Sequence, residues 1–113
     1  MTLRELADKL QLQVRAADRN LEQVVSSGYA SDLLSNVMGK APDKAIWVTM
    51  QIHANIVAVA LLVGIAGIVI AGGHEPAPET LAKAEEEGIP VFTTDLPTFE
   101  IVGMLYKLNI TGV

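Results

Sequence analysis

At 113 residues, half of them hydrophobic, and with a net charge of −5, the chain has the size and composition of one domain with one core. The absence of cysteine excludes disulfides and thiolate metal sites, and the acidic balance with only 4% aromatic residues excludes the clustered cations and stacking platforms of nucleic-acid binding. A mean hydropathy of +0.38 in a 12.0 kDa chain leaves much apolar surface for a monomer and points to an oligomer, most simply a homodimer.

The chain opens with Thr2 and Glu5 in capping-box spacing, followed by Leu3, Leu6 and Leu10 on one face of a short helix. Gln11 to Ala16 alternates, with Leu12 and Val14 on one side, and reads as a strand ending at the turn Asp18-Arg19-Asn20. Val24 to Tyr29 reads as a second strand, in which Gly28 marks a bulge or a close approach. Ser31 or Asp32 is placed to cap a helix carrying Leu33, Leu34, Val37 and Met38 and stopping at Gly39.

A βαβ unit follows. Ile46, Val48 and Met50 alternate with Trp47 and Thr49, which predicts a strand over Ala45 to Met50; Ala54, Val57, Ala58, Leu61 and Leu62 then recur at helical spacing. Ala66 to Ala71 is rich in β-branched residues, as in a parallel strand buried on both faces. The uncharged run from Ile56 to Gly73 is also of borderline length for a membrane span, but its glycines and its lack of basic flanks weigh against one. The opening segment carries Arg4, Glu5, Asp8 and Lys9 where a signal peptide would be apolar, so a cytoplasmic location is expected.

Pro76 and Pro78 start a helix with Leu81 and Ala84 inward and Glu79, Lys83, Glu85, Glu86 and Glu87 outward; Gly88 ends it. Pro90 to Thr93 is the next strand, and a last helix after Pro97 buries Ile101, Val102, Leu105 and Leu108. The expected fold class is α/β, three layers with a mostly parallel sheet, and the order β-α-β-α-β-α suggests double winding with loops gathered at the strand carboxyl ends.

Two stretches at those ends are candidate ligand sites. In the first, His53 and Asn55 open the helix after a strand, where free N–H groups and the dipole favour an anion, and Thr49, Gln51 and His53 offer side-chain donors. The same residues also suit a plain strand-to-helix turn with Asn55 as cap. The second is Gly72-Gly73-His74-Glu75, where paired glycines permit positive φ and close approach by a ligand, or simply turn the chain into the next helix. His53, His74 and Glu75 lack the spacing of a metal site, and no metal or cofactor is expected. Neither Ser31 nor Thr93 has a base at motif spacing, so no catalytic residue is assigned. Trp47, Met50 and Met104 suit either the core or a pocket.

Ala66-Gly67-Ile68-Val69-Ile70-Ala71-Gly72-Gly73-His74-Glu75-Pro76, Glu86-Glu87-Gly88-Ile89-Pro90-Val91 and Thr93-Thr94 resemble a DRTGG domain. The resemblance also takes in Ser31-Asp32-Leu33-Leu34-Ser35, Trp47-Val48-Thr49, Ile56 to Ala60 and Phe99-Glu100, essentially the full length. Within that family the chain resembles the stand-alone form found beside iron-only hydrogenase genes, and it is more distantly similar to the N-terminal domains of HPr kinase and Mur ligases. The family's Asp-Arg-Thr element falls near Ile52-His53-Ala54 and is replaced here, while its glycine pair is kept as Gly72-Gly73.

This resemblance implies a non-catalytic regulatory or adaptor domain that binds a small anion or nucleotide, or docks on a hydrogenase or related redox enzyme. The alternative is a small transferase or hydrolase using His53 or His74, since a neutral imidazole is the natural base or nucleophile near pH 7.

Overall fold

The computed structural model describes residues 1–112. Helix α1 (Leu3–Leu10) is fixed by a complete capping box, the Thr2 hydroxyl accepting from the Glu5 N–H while the Glu5 carboxylate accepts from the Thr2 N–H. After it come strand β1 (Gln13–Ala16), a single 3-10 turn (Asp18–Asn20), strand β2 (Ser27–Ala30) and helix α2 (Leu34–Lys40). Strand β3 (Ala45–Thr49), helix α3 (Asn55–Val63) and strand β4 (Gly67–Ile70) form the βαβ unit, followed by helix α4 (Pro78–Glu87), strand β5 (Val91–Thr93) and helix α5 (Thr98–Lys107).

The five strands form one sheet in the order β1-β5-β4-β3-β2, parallel except that β1 runs antiparallel to β5. Side chains of β3 alternate between two buried layers. Trp47, Ile68, Ile70 and Val91 pack with α2, α3 and α4 through Val37, Ile56, Val57, Ala60 and Ala84. On the opposite face Ile46, Val48, Val69 and Phe92 pack with α1 and α5 through Leu3, Leu6, Ile101 and Leu105. The sheet is therefore the middle of three layers. Gly67 is closely packed here: a Cβ would stand 3.2 Å from Leu3 Cδ2 and 3.3 Å from Phe92 Cε2, so those side chains would have to shift by a few tenths of an ångström.

Several local expectations change. All three crossovers from β2 to β5 lie on one face and the strand order never reverses, so the sheet is not doubly wound and has no switch-point crevice. Strand β1 starts at Gln13 rather than Gln11, which is the left-handed cap of α1; β2 starts at Ser27, and Val24 forms only an isolated bridge to Thr2. Gly28 is approached by the chain's own C-terminal segment, its N–H donating to the Thr111 carbonyl at 2.9 Å.

Neither Ser31 nor Asp32 caps α2. Its first half-turn residue is Leu33, with no side-chain cap, and the helix runs through Gly39 to Lys40. Of its apolar residues only Val37 is buried; Leu33 and Met38 are exposed. The buried stripe of α3 is Ile56, Val57, Val59 and Ala60, leaving Ala58, Leu61 and Leu62 outside. Helix α4 begins at Pro78 and ends at Gly88, as its first-turn proline and left-handed glycine require. The uncharged run is divided between α3 and β4, and among the described residues no helix is long and apolar enough to cross a membrane. Trp47 lies in the core on the α2–α4 face, Met104 packs half-buried against the core on the opposite face, and Met50 is 45% exposed.

Candidate functional site

The parallel strands β2 to β5 all end on one rim, and the loops there are tied to one another across the sheet. Next to the end of β2, the Asp32 carboxylate accepts from the Thr49 hydroxyl at 2.8 Å and the Met50 N–H at 2.7 Å, while Gln51 Nε2 donates to the Asp32 carbonyl at 2.9 Å. Past β3, the Ile52 carbonyl accepts from Thr80 Oγ1 at 2.6 Å and from the Ala77 N–H at 3.1 Å, fastening this loop to the start of α4. After β4, the Gly72 and Gly73 N–H groups donate to the Leu96 and Thr94 carbonyls at 2.8 and 2.9 Å. These ties link the rim's loops to one another and to α4.

They also decide what each predicted residue has left to offer. Thr49 is buried and Gln51 is spent on Asp32, so both serve the loop. Asn55 is the first residue of α3 rather than its cap, which is Ala54. His53 and Asn55 are exposed, and among the described residues neither side chain makes a protein hydrogen bond, so both remain open to solvent. Gly72 and Gly73 do adopt positive φ, 83° and 74°, but their N–H groups are spent on the β5–α5 loop. The His74 ring folds back over Gly72, within 3.2 Å of where a Cβ would stand.

The second cluster opens into a polar cleft of about 410 Å³ lined by Gln13, Arg15, Gly73, His74, Glu75, Thr93, Thr94, Asp95 and Leu96. Its cation is Arg15, contributed by β1. The register there skips a residue, Val14 facing Phe92 and Ala16 facing Val91, so Arg15 is the bulged residue and its side chain is turned toward the rim. The guanidinium forks onto both oxygens of Glu75, with Nη1 at 2.8 Å from Oε1 and Nη2 on Oε2, and Nη1 stands 3.5 Å from Thr93 Oγ1. Arg15, Thr94 and Asp95 were not among the predicted site residues. The only signal for Arg15 is a cation between Val14 and Ala16, in a strand whose antiparallel partner lies far along the chain.

Hydrogen bonding to Arg15 holds the Glu75 carboxyl below the usual carboxylate range, with its charge attraction adding a smaller push. A carboxyl lowered in the folded state contributes stability above its unfolded pKa, and that contribution is lost as pH falls through the folded value. Wild type should therefore exceed Glu75→Gln in melting temperature at neutral pH, and the gap should close in acid. A gap that persists at low pH would show that the difference has another source.

The Glu85 carboxylate, expected to be merely solvated, takes the Ala17 N–H at 2.9 Å and pairs with Arg19. A separate apolar cavity of about 270 Å³ lies between β2 and α5, lined by Tyr29, Val48, Val102, Leu105 and Ile110, and holds none of the predicted site residues. Among the described residues no three His, Asp or Glu side chains converge as a metal-binding group.

The chain is thus a three-layer α/β/α domain with a polar cleft at the carboxyl rim of its sheet. The DRTGG domain family model matches residues 5–108, and the chain belongs to that family. Among solved structures it is similar to the CBS and DRTGG domains of the regulatory region of Clostridium perfringens pyrophosphatase, complexed with its activator diadenosine tetraphosphate. That likeness has a TM-score of 0.66 at 17% identity, over 88% of this chain and 44% of the other. The chain thus spans less than half of that solved regulatory region, and the likeness establishes the fold. No curated protein matches.

Proposed function

We propose that the protein is a non-catalytic, cytoplasmic regulatory domain that binds a small oxyanion or nucleotide at the carboxyl rim of its sheet, in the cleft around Arg15. The carrying observation is Arg15 itself, a guanidinium set by a bulge in a polar cleft, its side chain four-fifths buried and its fork already holding one carboxylate, that of Glu75. Such a fork binds carboxylate or phosphate through two parallel hydrogen bonds. Family membership supports a regulatory role, and the nucleotide activator carried by the similar pyrophosphatase region suggests the ligand class to try first. His53, Asn55 and the first turn of α3 are the secondary contact, suited to a ligand long enough to run along the rim.

The two imidazoles support this reading over catalysis. Neither His53 nor His74 has a carboxylate or carbonyl orienting it among the described residues, whereas a general base is normally held by such a partner. We propose the homodimer as well, joined through the exposed apolar side chains of the α2 and α3 layer, Leu33, Met38, Leu61 and Leu62. Docking on a hydrogenase-type redox enzyme would be the adaptor form of the same role and would use the same layer.

The test is a thermal-shift and calorimetric screen against nucleotides, pyrophosphate and phosphate, with the mass followed by light scattering. A ligand at about 100 times its Kd adds about 2.7 kcal/mol, several degrees for a domain of this size. Arg15→Gln should abolish the shift while remaining folded. Absence of a shift with every anion would overturn the reading.

A further inference from the structure

The geometry points to Glu75 as a displaceable gate on the anion site: its carboxylate occupies the Arg15 fork as a stand-in for the ligand's terminal oxyanion, which must displace it. The inference rests on the anion-site reading above and adds how the site is closed.

The two partners of the pair are held very differently. Arg15 has a side chain only 20% exposed, sits at a bulge paired into the sheet, and has Thr93 beside it, whereas the Glu75 side chain is 69% exposed. The backbone leading to Glu75 is fixed, because Gly72 and Gly73 are tied to the β5–α5 loop and Pro76 beyond it is buried. Releasing Glu75 therefore needs a side-chain rotation and no backbone rearrangement. The cation is fixed and its anion exchangeable.

Charge explains why the exchange matters. With Glu75 in place the cleft holds Arg15 against two carboxylates, Glu75 and Asp95, a balance that repels an entering polyanion. Swinging Glu75 into solvent leaves the guanidinium facing the cleft with two parallel donors free, the geometry a terminal phosphate accepts. An exposed ion pair is weak enough to be displaced by such a ligand.

The experiment measures pyrophosphate binding by calorimetry at fixed ionic strength, with folding of each variant checked by circular dichroism. Glu75→Gln should bind roughly twofold to fivefold tighter than wild type, the range that an exposed pair represents. Glu79→Gln, which removes the same charge from the exposed first turn of α4, should bind as wild type does, and Arg15→Gln should not bind with or without Glu75→Gln. Equal tightening by Glu75→Gln and Glu79→Gln, or none by Glu75→Gln, would overturn the gate while leaving the anion site standing, provided Arg15→Gln still fails to bind. Wild-type binding by Arg15→Gln, or no binding by any variant, would overturn both.

Discussion

Trp47→Ala is expected to cost about 3–5 kcal/mol of stability, the range for deleting a fully buried indole, and to lower the melting temperature by roughly 15–25 °C. Trp47 is the largest side chain fully removed from solvent, lying on β3 among Val37, Ile56, Ile68 and Ile70. Its neighbours belong to a sheet strand and two helices of one layer, so the void cannot close by the shift of any single element. Its Nε1 also donates to the Ser31 carbonyl at 2.9 Å, which ties the β2–α2 loop to the sheet. Trp47→Phe separates the two effects: it keeps most of the packing but strands that carbonyl, at about 1–3 kcal/mol. Chemical denaturation of both variants checks this. A Trp47→Ala loss no greater than that of Trp47→Phe would mean that the indole ring contributes little beyond its hydrogen bond.

The burial of Trp47 was only half legible in the sequence, and the reason is instructive. The alternation over Ala45 to Met50 locates the strand to within its last residue, Met50 falling outside it, but a period of two normally signals one wet face, and here both faces are covered. Helix α3 failed in the opposite way. With every position from Ile56 to Val63 apolar, periodicity has almost no polar residues to orient the helix, so the helical spacing of Ala54, Val57, Ala58, Leu61 and Leu62 does not pick out the buried face, and Leu61 and Leu62 lie outside. Caps were legible wherever a side chain bonds within its own turn, as at Thr2 and Glu5, and illegible at Asp32, whose carboxylate reaches across to Thr49 and Met50. The same distinction separates the two halves of the candidate site. The Gly72-Gly73 turn is local and visible, whereas Arg15 meets Glu75 only after β1 has added antiparallel to the far edge of the sheet, 60 residues away along the chain.

Asp32→Ala tests whether the rim is one unit or two, and is expected to cost about 2 kcal/mol, since it removes a charged acceptor from two donors. One of those donors, the Thr49 hydroxyl, is 1% exposed and cannot turn to water for a replacement. The other is the Met50 N–H, the first backbone donor past β3. Asp32→Asn retains an oxygen acceptor and should recover more than half of the loss, which an effect of net charge alone would not produce. Hydrogen exchange should show Met50 and Gln51 opening first in Asp32→Ala, because Gln51 hangs on both Thr49 Oγ1 and the Asp32 carbonyl. The Arg15 cleft is fastened separately, through Gly72 and Gly73 to the β5–α5 loop, so pyrophosphate binding by folded Asp32→Ala should stay near that of wild type. Binding that weakened along with the β3–α3 loop would instead place the ligand across both clusters, with His53 and Asn55 in contact along with Arg15. Unchanged melting in Asp32→Ala would show that the carboxylate does not hold the rim at all.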